Sequence, residues 1–263
     1  MTASDPSDND IDAAETRLLD GRVVCFQPLR GYRSAIDPIL MQASVAARPG
    51  GRVLELGCGA GAASFALAFR LPETRVIGLD IQAPLIALAR KGATENGFED
   101  RVGFLTGDLL ALPDDVATGG FDHVMANPPF QKAGTSRPSP DAVKALATVE
   151  GEAILADWVR VAAGLVRDGG CVTFIHHGDR GDELADLMAG VLGSLRILPI
   201  QARADGGGAA RVIVQGIKGA MAGQQTELPL VLHETGGKYT AVADKILRGY
   251  AGLSDPSEDT VKK

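Results

Sequence analysis

The stretch Val53-Leu54-Glu55-Leu56-Gly57-Cys58-Gly59-Ala60-Gly61 decides how this chain folds. Its first half reads as a short strand, and the glycines after it permit positive φ and let a ligand come close to the backbone. Ala62 to Arg70 follows with helical character, so the unit is strand, glycine turn, helix. The alternation continues through Arg75 to Leu79, Pro84 to Asn96, Val102 to Leu105 and Phe121 to Ala126. Short apolar runs alternating with helical segments are the βαβ signature of a parallel sheet with helices on both faces.

Working outward, Arg22 to Gln27 reads as a short β segment and Pro28 to Arg33 as a turn. Asp37-Pro38 opens a helix, with Asp37 as N-cap and Pro38 at the first helical position, that ends before Pro49-Gly50-Gly51. On the other side, Ala153 to Val166 is expected as a helix ending at Asp168-Gly169-Gly170, Cys171 to His176 as a strand and Glu183 to Leu192 as a helix. Leu195 to Gln201 and Arg211 to Ile217, joined through Gly206-Gly207-Gly208, are expected as an antiparallel closing pair with the Arg211 strand at the edge. Leu230 to His233 is expected to be extended and Thr240 to Tyr250 helical. The fold class expected is α/β: a Rossmann-like sheet, mostly parallel with an antiparallel strand near one edge, and helices on both faces. A single domain over residues 19–250 is expected, with an N-terminal hairpin and helix extension (19–50), a core (51–218) and a C-terminal extension (219–250). A disordered acidic leader (1–18) and a loose tail (251–263) flank it.

Composition narrows the function classes. Hydrophobic residues are 45% and charged residues 22% of 263, ordinary values for a globular protein, and no apolar run is long enough to cross a bilayer. Asp5, Asp8, Asp10, Asp12 and Glu15 make the N-terminus the reverse of a secretory or transit signal. The cysteines Cys25, Cys58 and Cys171 are far apart and odd in number, which gives neither a disulfide framework nor a zinc site. A reducing cytoplasm, no membrane and no metal are expected. The net charge of -7 weighs against nucleic-acid binding through bulk electrostatics, although a local basic surface is compatible with it.

Gly57, Gly59 and Gly61 lie where a cofactor binds an α/β sheet, and with Ala62 they also satisfy the dinucleotide pattern, so a nicotinamide or flavin enzyme remains a rival. Asp80 ends the second strand of this region about 20 residues on, where a carboxylate can accept from both ribose hydroxyls. Glu55 precedes the loop, a place suited to a cationic amino-acid moiety and unsuited to pyrophosphate. Thr106-Gly107-Asp108-Leu109 ends the next strand, and Asp108 is placed to accept from an adenine amino group, with an N-cap as its structural alternative.

The tetrapeptide Asn127-Pro128-Pro129-Phe130 would project from the carboxyl end of the Phe121 strand, beside that crevice. Two prolines fix the backbone and remove two amide donors, so the neighbouring carbonyl and the Asn127 amide converge as acceptors on one small site. An exocyclic amino group offers the matching N–H donors. Together with the glycine loop, the tetrapeptide points to methyl transfer from S-adenosylmethionine to a planar nitrogen, with Phe130 stacking on the ring that carries it.

With these residues the chain resembles the amino-methyltransferases of the NPPY/NPPF type, and within them the adenine-N6 methyltransferases that modify the anticodon loop of valine tRNA. The resemblance runs from about Leu19 to about Tyr250. It also rests on Gln27-Pro28, Gly31-Tyr32-Arg33, Ile36-Asp37-Pro38-Ile39-Leu40, Arg211-Val212-Ile213-Val214-Gln215 and Leu230-Val231-Leu232-His233-Glu234. It implies a class I methyltransferase sheet in which Asn127, Pro128, Pro129 and Phe130 hold the target base. Glu55, Gly57, Cys58, Gly59, Gly61, Asp80, Ile81, Asp108, Leu109 and Asn127 would hold S-adenosylmethionine, with Tyr32, Arg33 and Asp37 on its methionine side. Phe130 is a departure, because many adenine-specific members carry tyrosine there and some guanine-N2 enzymes carry phenylalanine.

Unpaired anticodon bases can be splayed into a pocket at low cost, which suits RNA, and tRNA in particular, as the partner. Gln131 to Val149 reads as a substrate loop whose Lys132, Arg137 and Lys144 could meet phosphates. His176 and His177 lack a nucleophile or carboxylate at a recognisable spacing and read as strand-end packing; His123 and His233 lack metal-ligand spacing. The rival substrates are a guanine N2 in rRNA and a protein glutamine amide, which presents the same planar nitrogen. The non-enzymatic rival is an S-adenosylmethionine-binding module without turnover.

Overall fold

The computed structural model describes residues 11–29, 36–132, 149–204 and 208–253. Its centre is a nine-stranded sheet. β3 (Arg52–Leu56), β4 (Arg75–Asp80), β5 (Val102–Thr106), β6 (Phe121–Ala126) and β7 (Val166–His177) run parallel, in the spatial order β7-β6-β3-β4-β5. β9 (Arg211–Ile217) is antiparallel to both β7 and β8 (Gly193–Arg203). β10 (Gln224–Thr226) and β11 (Leu230–His233) both pair with β8 in parallel. The strand order runs outward in opposite senses from β3, so the topological switch point, where open parallel sheets bind ligands, lies between β3 and β6.

Strand alternation explains the two cores. Along β3, Val53 faces one side while Leu54 and Leu56 face the other. The first side is covered by α1 (Asp37–Ala43), α2 (Ala62–Arg70) and α3 (Ala83–Asn96), with Phe65 fully buried among the side chains there. Burying a phenylalanine of that kind contributes about 1.5–3 kcal/mol. The second side is covered by α5 (Leu155–Leu165) and α6 (Gly181–Ala189), packed on Leu54, Leu56, Val124 and Phe174, with the short α4 (Asp114–Ala117) adding Val116. α7 (Ala241–Leu247) closes the chain's end against α1, with Thr240 capping it by accepting from the Ala243 amide at 3.2 Å.

Four expectations need correction. Residues 13–18, expected within a structureless leader, form β1 (Ala13–Leu18), which pairs antiparallel with β2 (Val23–Pro28) in a separate two-stranded sheet. The hairpin turns through Leu19, Asp20 and Gly21, all at positive φ, and an Asp-Gly pair between strands is a recognised hairpin signal. Asp37 is not an N-cap: α1 begins at Asp37 without a side-chain cap, and the carboxylate is held by Arg211 Nε at 2.9 Å.

Asp168-Gly169-Gly170 does not stop the chain before a new strand but lies inside β7. There Gly169 N donates to Lys218 O and Lys218 N to Gly170 O, so pairing continues across an irregularity in register against β6. The Arg211–Ile217 strand is interior rather than at the edge, because β8, β10 and β11 add on outside it. The antiparallel β8–β9 pair itself is as expected; the connection's residues 205–207 lie outside the described residues.

Candidate active site

Register brings the two sequence motifs together. Leu56 of β3 pairs with Ala126 of β6 and with Leu79 of β4, so the residues that follow, Gly57, Asn127 and Asp80, emerge side by side at the carboxyl edge of the sheet. They open into a crevice of about 530 Å³. Glu55, Gly57, Cys58 and Gly59 line it from the first loop, Asp80 and Ile81 from the second, Asp108 and Leu109 from the third, and Asn127, Pro129 and Phe130 from the fourth.

The glycine loop is built for close approach. Gly57 has φ +68°, and a Cβ there would sit 2.7 Å from the Trp158 ring, so Gly57 serves packing as well as the turn. Gly59, at φ +53°, faces open space, and its amide donates to Asp80 Oδ2 at 2.8 Å. Asp80 Oδ1 accepts from the Gln82 amide at 2.9 Å. Burial raises the Asp80 pKa, and these two hydrogen bonds act against that rise.

Glu55 points the same way as Val53, under α2, where it is 4% exposed and accepts from Ser64 Oγ at 2.5 Å. Burial pushes its carboxyl up to about 8, with the Ser64 bonds pulling down and the Asp80 charge pushing up. Asp108 Oδ1 accepts from the Leu110 amide at 2.8 Å, which fixes the carboxylate at the rim of the third loop.

Asn127 Oδ1 is buried and has no hydrogen-bond partner. A buried acceptor left in this state costs about 1–3 kcal/mol, a penalty that a donor entering the crevice would remove. Trp158 Nε1 and Gln27 Oε1, both from crevice-lining residues, share that condition. Phe130 stands against His177 (ring centroids 4.5 Å apart) and edge-on to His176 (5.5 Å), with the Arg211 guanidinium 5.2 Å from its ring centre. Burial pushes His176 down to about 4, helped by the Arg180 charge, so it packs as a neutral ring.

Several expected site residues lie elsewhere. Gly61 caps α2 and packs beneath Phe65 and Phe104, Pro128 is buried within the tetrapeptide between Asn127 and Pro129, and Asp37 is engaged by Arg211; none of the three lines the crevice. Lys132 pairs with Glu183 at 3.1 Å. Tyr32, Arg33, Arg137 and Lys144 lie outside the described residues. Conversely, Gln27, Pro38 and Trp158 line the crevice without having been assigned a role from the sequence. Trp158 is the chain's single tryptophan, a composition signal that could have drawn attention to it. Among the described residues there is no cluster suited to a metal ion, and no helix is long and apolar enough to cross a membrane.

Residues 47–169 match a protein family described as "Methyltransferase domain". Among curated proteins, the chain is 28% identical over 153 residues to a release factor glutamine methyltransferase of Chlorobaculum tepidum, covering 56% of this chain and 52% of that protein. It is 30% identical over 158 residues to a tRNA1(Val) (adenine(37)-N6)-methyltransferase of Porphyromonas gingivalis, covering 58% and 61% respectively. The chain thus spans between half and two thirds of the length of these relatives. Among solved structures, a predicted O-methyltransferase from Agrobacterium tumefaciens superimposes with TM-score 0.69 at 26% identity, over 84% of this chain and 99% of that one. The matched segment carries the glycine loop, Asp80, Asp108 and the Asn127 tetrapeptide on one sheet edge. Residues 47–169 are thus similar to a methyltransferase domain, and the sheet has the α/β fold of class I methyltransferases.

Proposed function

We propose that this protein is an N-methyltransferase that modifies an exocyclic amino nitrogen, and that its substrate is adenine N6 in the anticodon loop of a tRNA. The observation that carries the reading is Asn127: a buried amide oxygen without a partner, one residue beyond β6, in the same crevice as the glycine loop.

The residues present fit the donor. Asp80 is fixed by two amides and is suited to ribose hydroxyls; Gly59 leaves open space beside it. Asp108 is suited to the adenine amino group, and Glu55 to the cationic methionine moiety. S-adenosylmethionine supplies an electrophilic methyl group on a sulfonium.

On the acceptor side, Asn127 Oδ1 would accept one N–H bond of the target amine, and the adjoining Pro128 carbonyl, which does not line the ligand-free crevice, would have to come within reach of the bound amine to accept the other. Those bonds oppose delocalisation of the nitrogen lone pair into the ring and fix the direction in which it points. Phe130 would stack on the ring. No strong general base is required, because the nitrogen becomes acidic only as its fourth bond forms. The tRNA relative in Porphyromonas gingivalis supports adenine as the target. Protein glutamine is the second reading, supported by the net charge of -7 and by the Chlorobaculum tepidum relative.

The test is transfer of labelled methyl from S-adenosylmethionine to total tRNA from cells lacking this protein, with Asn127→Ala in parallel and nucleoside mass spectrometry of the product. N6-methyladenosine formed by the native protein and lost with Asn127→Ala is the expected result. Label in rRNA or in a protein glutamine, with none in tRNA, would overturn the adenine assignment. Cofactor binding without transfer to any of the three would make the chain a binding module.

A further inference from the structure

We propose that Arg180 is the positioning residue that holds the Asn127-Pro128-Pro129-Phe130 tetrapeptide and the neck of the segment after it in working geometry; the proposal rests on the tetrapeptide being the acceptor site. Arg180 lies in the short 3-10 turn between β7 and α6, is 8% exposed, and does not line the crevice. Its guanidinium is used on every side. Nε and Nη2 donate to the two Glu183 oxygens at 3.0 Å each, and Nη1 donates to Glu150 Oε1 at 2.8 Å. Nη1 also donates to the Phe130 carbonyl at 3.3 Å.

These partners come from three separate parts of the chain, and each leads to the site. Phe130 O is the last carbonyl of the tetrapeptide. Glu150, itself 7% exposed, accepts from the Leu155 amide at 3.3 Å, at the start of the helix whose Trp158 packs on Gly57. Glu183 also holds Lys132. Between them, Gln131 and Val149 form a β-bridge and the Glu150 amide donates to Gln131 O at 2.8 Å, so the entry and exit of the intervening segment are drawn together beside Arg180.

A planar fork with fixed donors can hold a carbonyl and two carboxylates at defined angles; an ammonium on a flexible stem cannot. Removing the charge would leave Glu150 buried without its counter-ion, which is strongly destabilising locally. Arg180 therefore acts on the target amine through Phe130 and Glu150 rather than by touching it.

The experiment compares the full chain with Arg180→Lys and Glu150→Gln. Three readouts are taken: S-adenosylhomocysteine affinity, kcat and KM for whichever acceptor takes methyl, and amide hydrogen exchange. The expected result for Arg180→Lys is a kcat lower by tenfold or more with cofactor affinity within about twofold. Exchange should accelerate in peptides covering 129–132 and 149–155 while those covering 55–62 stay protected. Glu150→Gln should move the same readouts in the same direction, and the double variant should lose less than the product of the two single losses.

Unchanged kcat and unchanged exchange at 129–132 would overturn the proposal. So would a loss of kcat matched by an equal loss of cofactor affinity and by faster exchange throughout, because that is the pattern of general destabilisation. If the native protein methylates rRNA or protein and not tRNA, the adenine assignment fails while these readouts still decide the role of Arg180. If it methylates nothing, the acceptor-site reading fails, and uniform exchange in Arg180→Lys would then overturn the positioning role as well.

Discussion

Replacing Glu55 by glutamine should flatten the dependence of stability on pH. In the folded, ligand-free protein the Glu55 carboxyl keeps its proton up to about pH 8, against an ordinary value of 4.5. Between those values the folded state binds more protons than the unfolded chain, so rising pH favours unfolding. The stabilising contribution is complete below about 4.5 and is lost as pH rises through about 8. At about 1.4 kcal/mol per pH unit, the whole interval carries about 5 kcal/mol, and the range from pH 6 to pH 7.5 about 2 kcal/mol.

The glutamine side chain introduced by Glu55→Gln would mimic the protonated acid in shape, and its oxygen can still accept from Ser64. Asp80, whose pKa is raised in the same direction, is common to both proteins and contributes equally to first order. The assay is urea unfolding of both ligand-free proteins at several values between pH 5.5 and pH 8.5, with the midpoint converted to free energy by the linear slope. The native protein should lose about 2 kcal/mol more than Glu55→Gln across pH 6 to 7.5. Two parallel profiles would refute the argument, since they would mean that Glu55 is already ionised in the folded state.

Gly57→Ala places a methyl group 2.7 Å from the Trp158 ring on a backbone at φ +68°. The left-handed backbone costs about 1 kcal/mol and the overpacking about 1–3 kcal/mol, so a loss of about 2–4 kcal/mol in chemical denaturation is expected. A loss well under 1 kcal/mol would contradict the packing described. Trp158 is the single tryptophan and lines the crevice, so S-adenosylhomocysteine should change its fluorescence saturably, and Asp80→Ala should shift that titration to at least tenfold higher ligand. A fluorescence signal insensitive to the ligand would place the cofactor away from Trp158.

Most of the sheet core was legible because its signals are local. Val53 to Leu56, Arg75 to Leu79 and Phe121 to Ala126 are short apolar runs that each recur as a strand of nearly the same bounds, and the glycine loop falls at the turn it was read as. Where local pattern misled, a pairing partner decided. Ala13–Leu18 is polar enough to pass for a leader, yet β2 beside it and the Asp20-Gly21 turn make it a strand. Asp168-Gly169-Gly170 looks like a stop, but Lys218 across the ladder keeps the strand going. Asp37 has the chemistry of a cap and is claimed instead by Arg211, 174 positions away.

The same division runs through the candidate site. Sequence by itself determined the residue types at the ends of consecutive strands: glycines after β3, Asp80 as the last residue of β4, Asp108 after β5 and Asn127 after β6. Those positions are set by hydrophobic runs that end locally, and their side chains face one crevice because parallel strands all end on the same edge. Only the tertiary structure decided that Trp158 fills the space over Gly57, that Glu55 is buried against Ser64, and that Arg180 joins Phe130, Glu150 and Glu183. Each of those contacts depends on desolvation and on the approach of segments distant in sequence, and neither quantity is carried by the composition or spacing of a single stretch of chain.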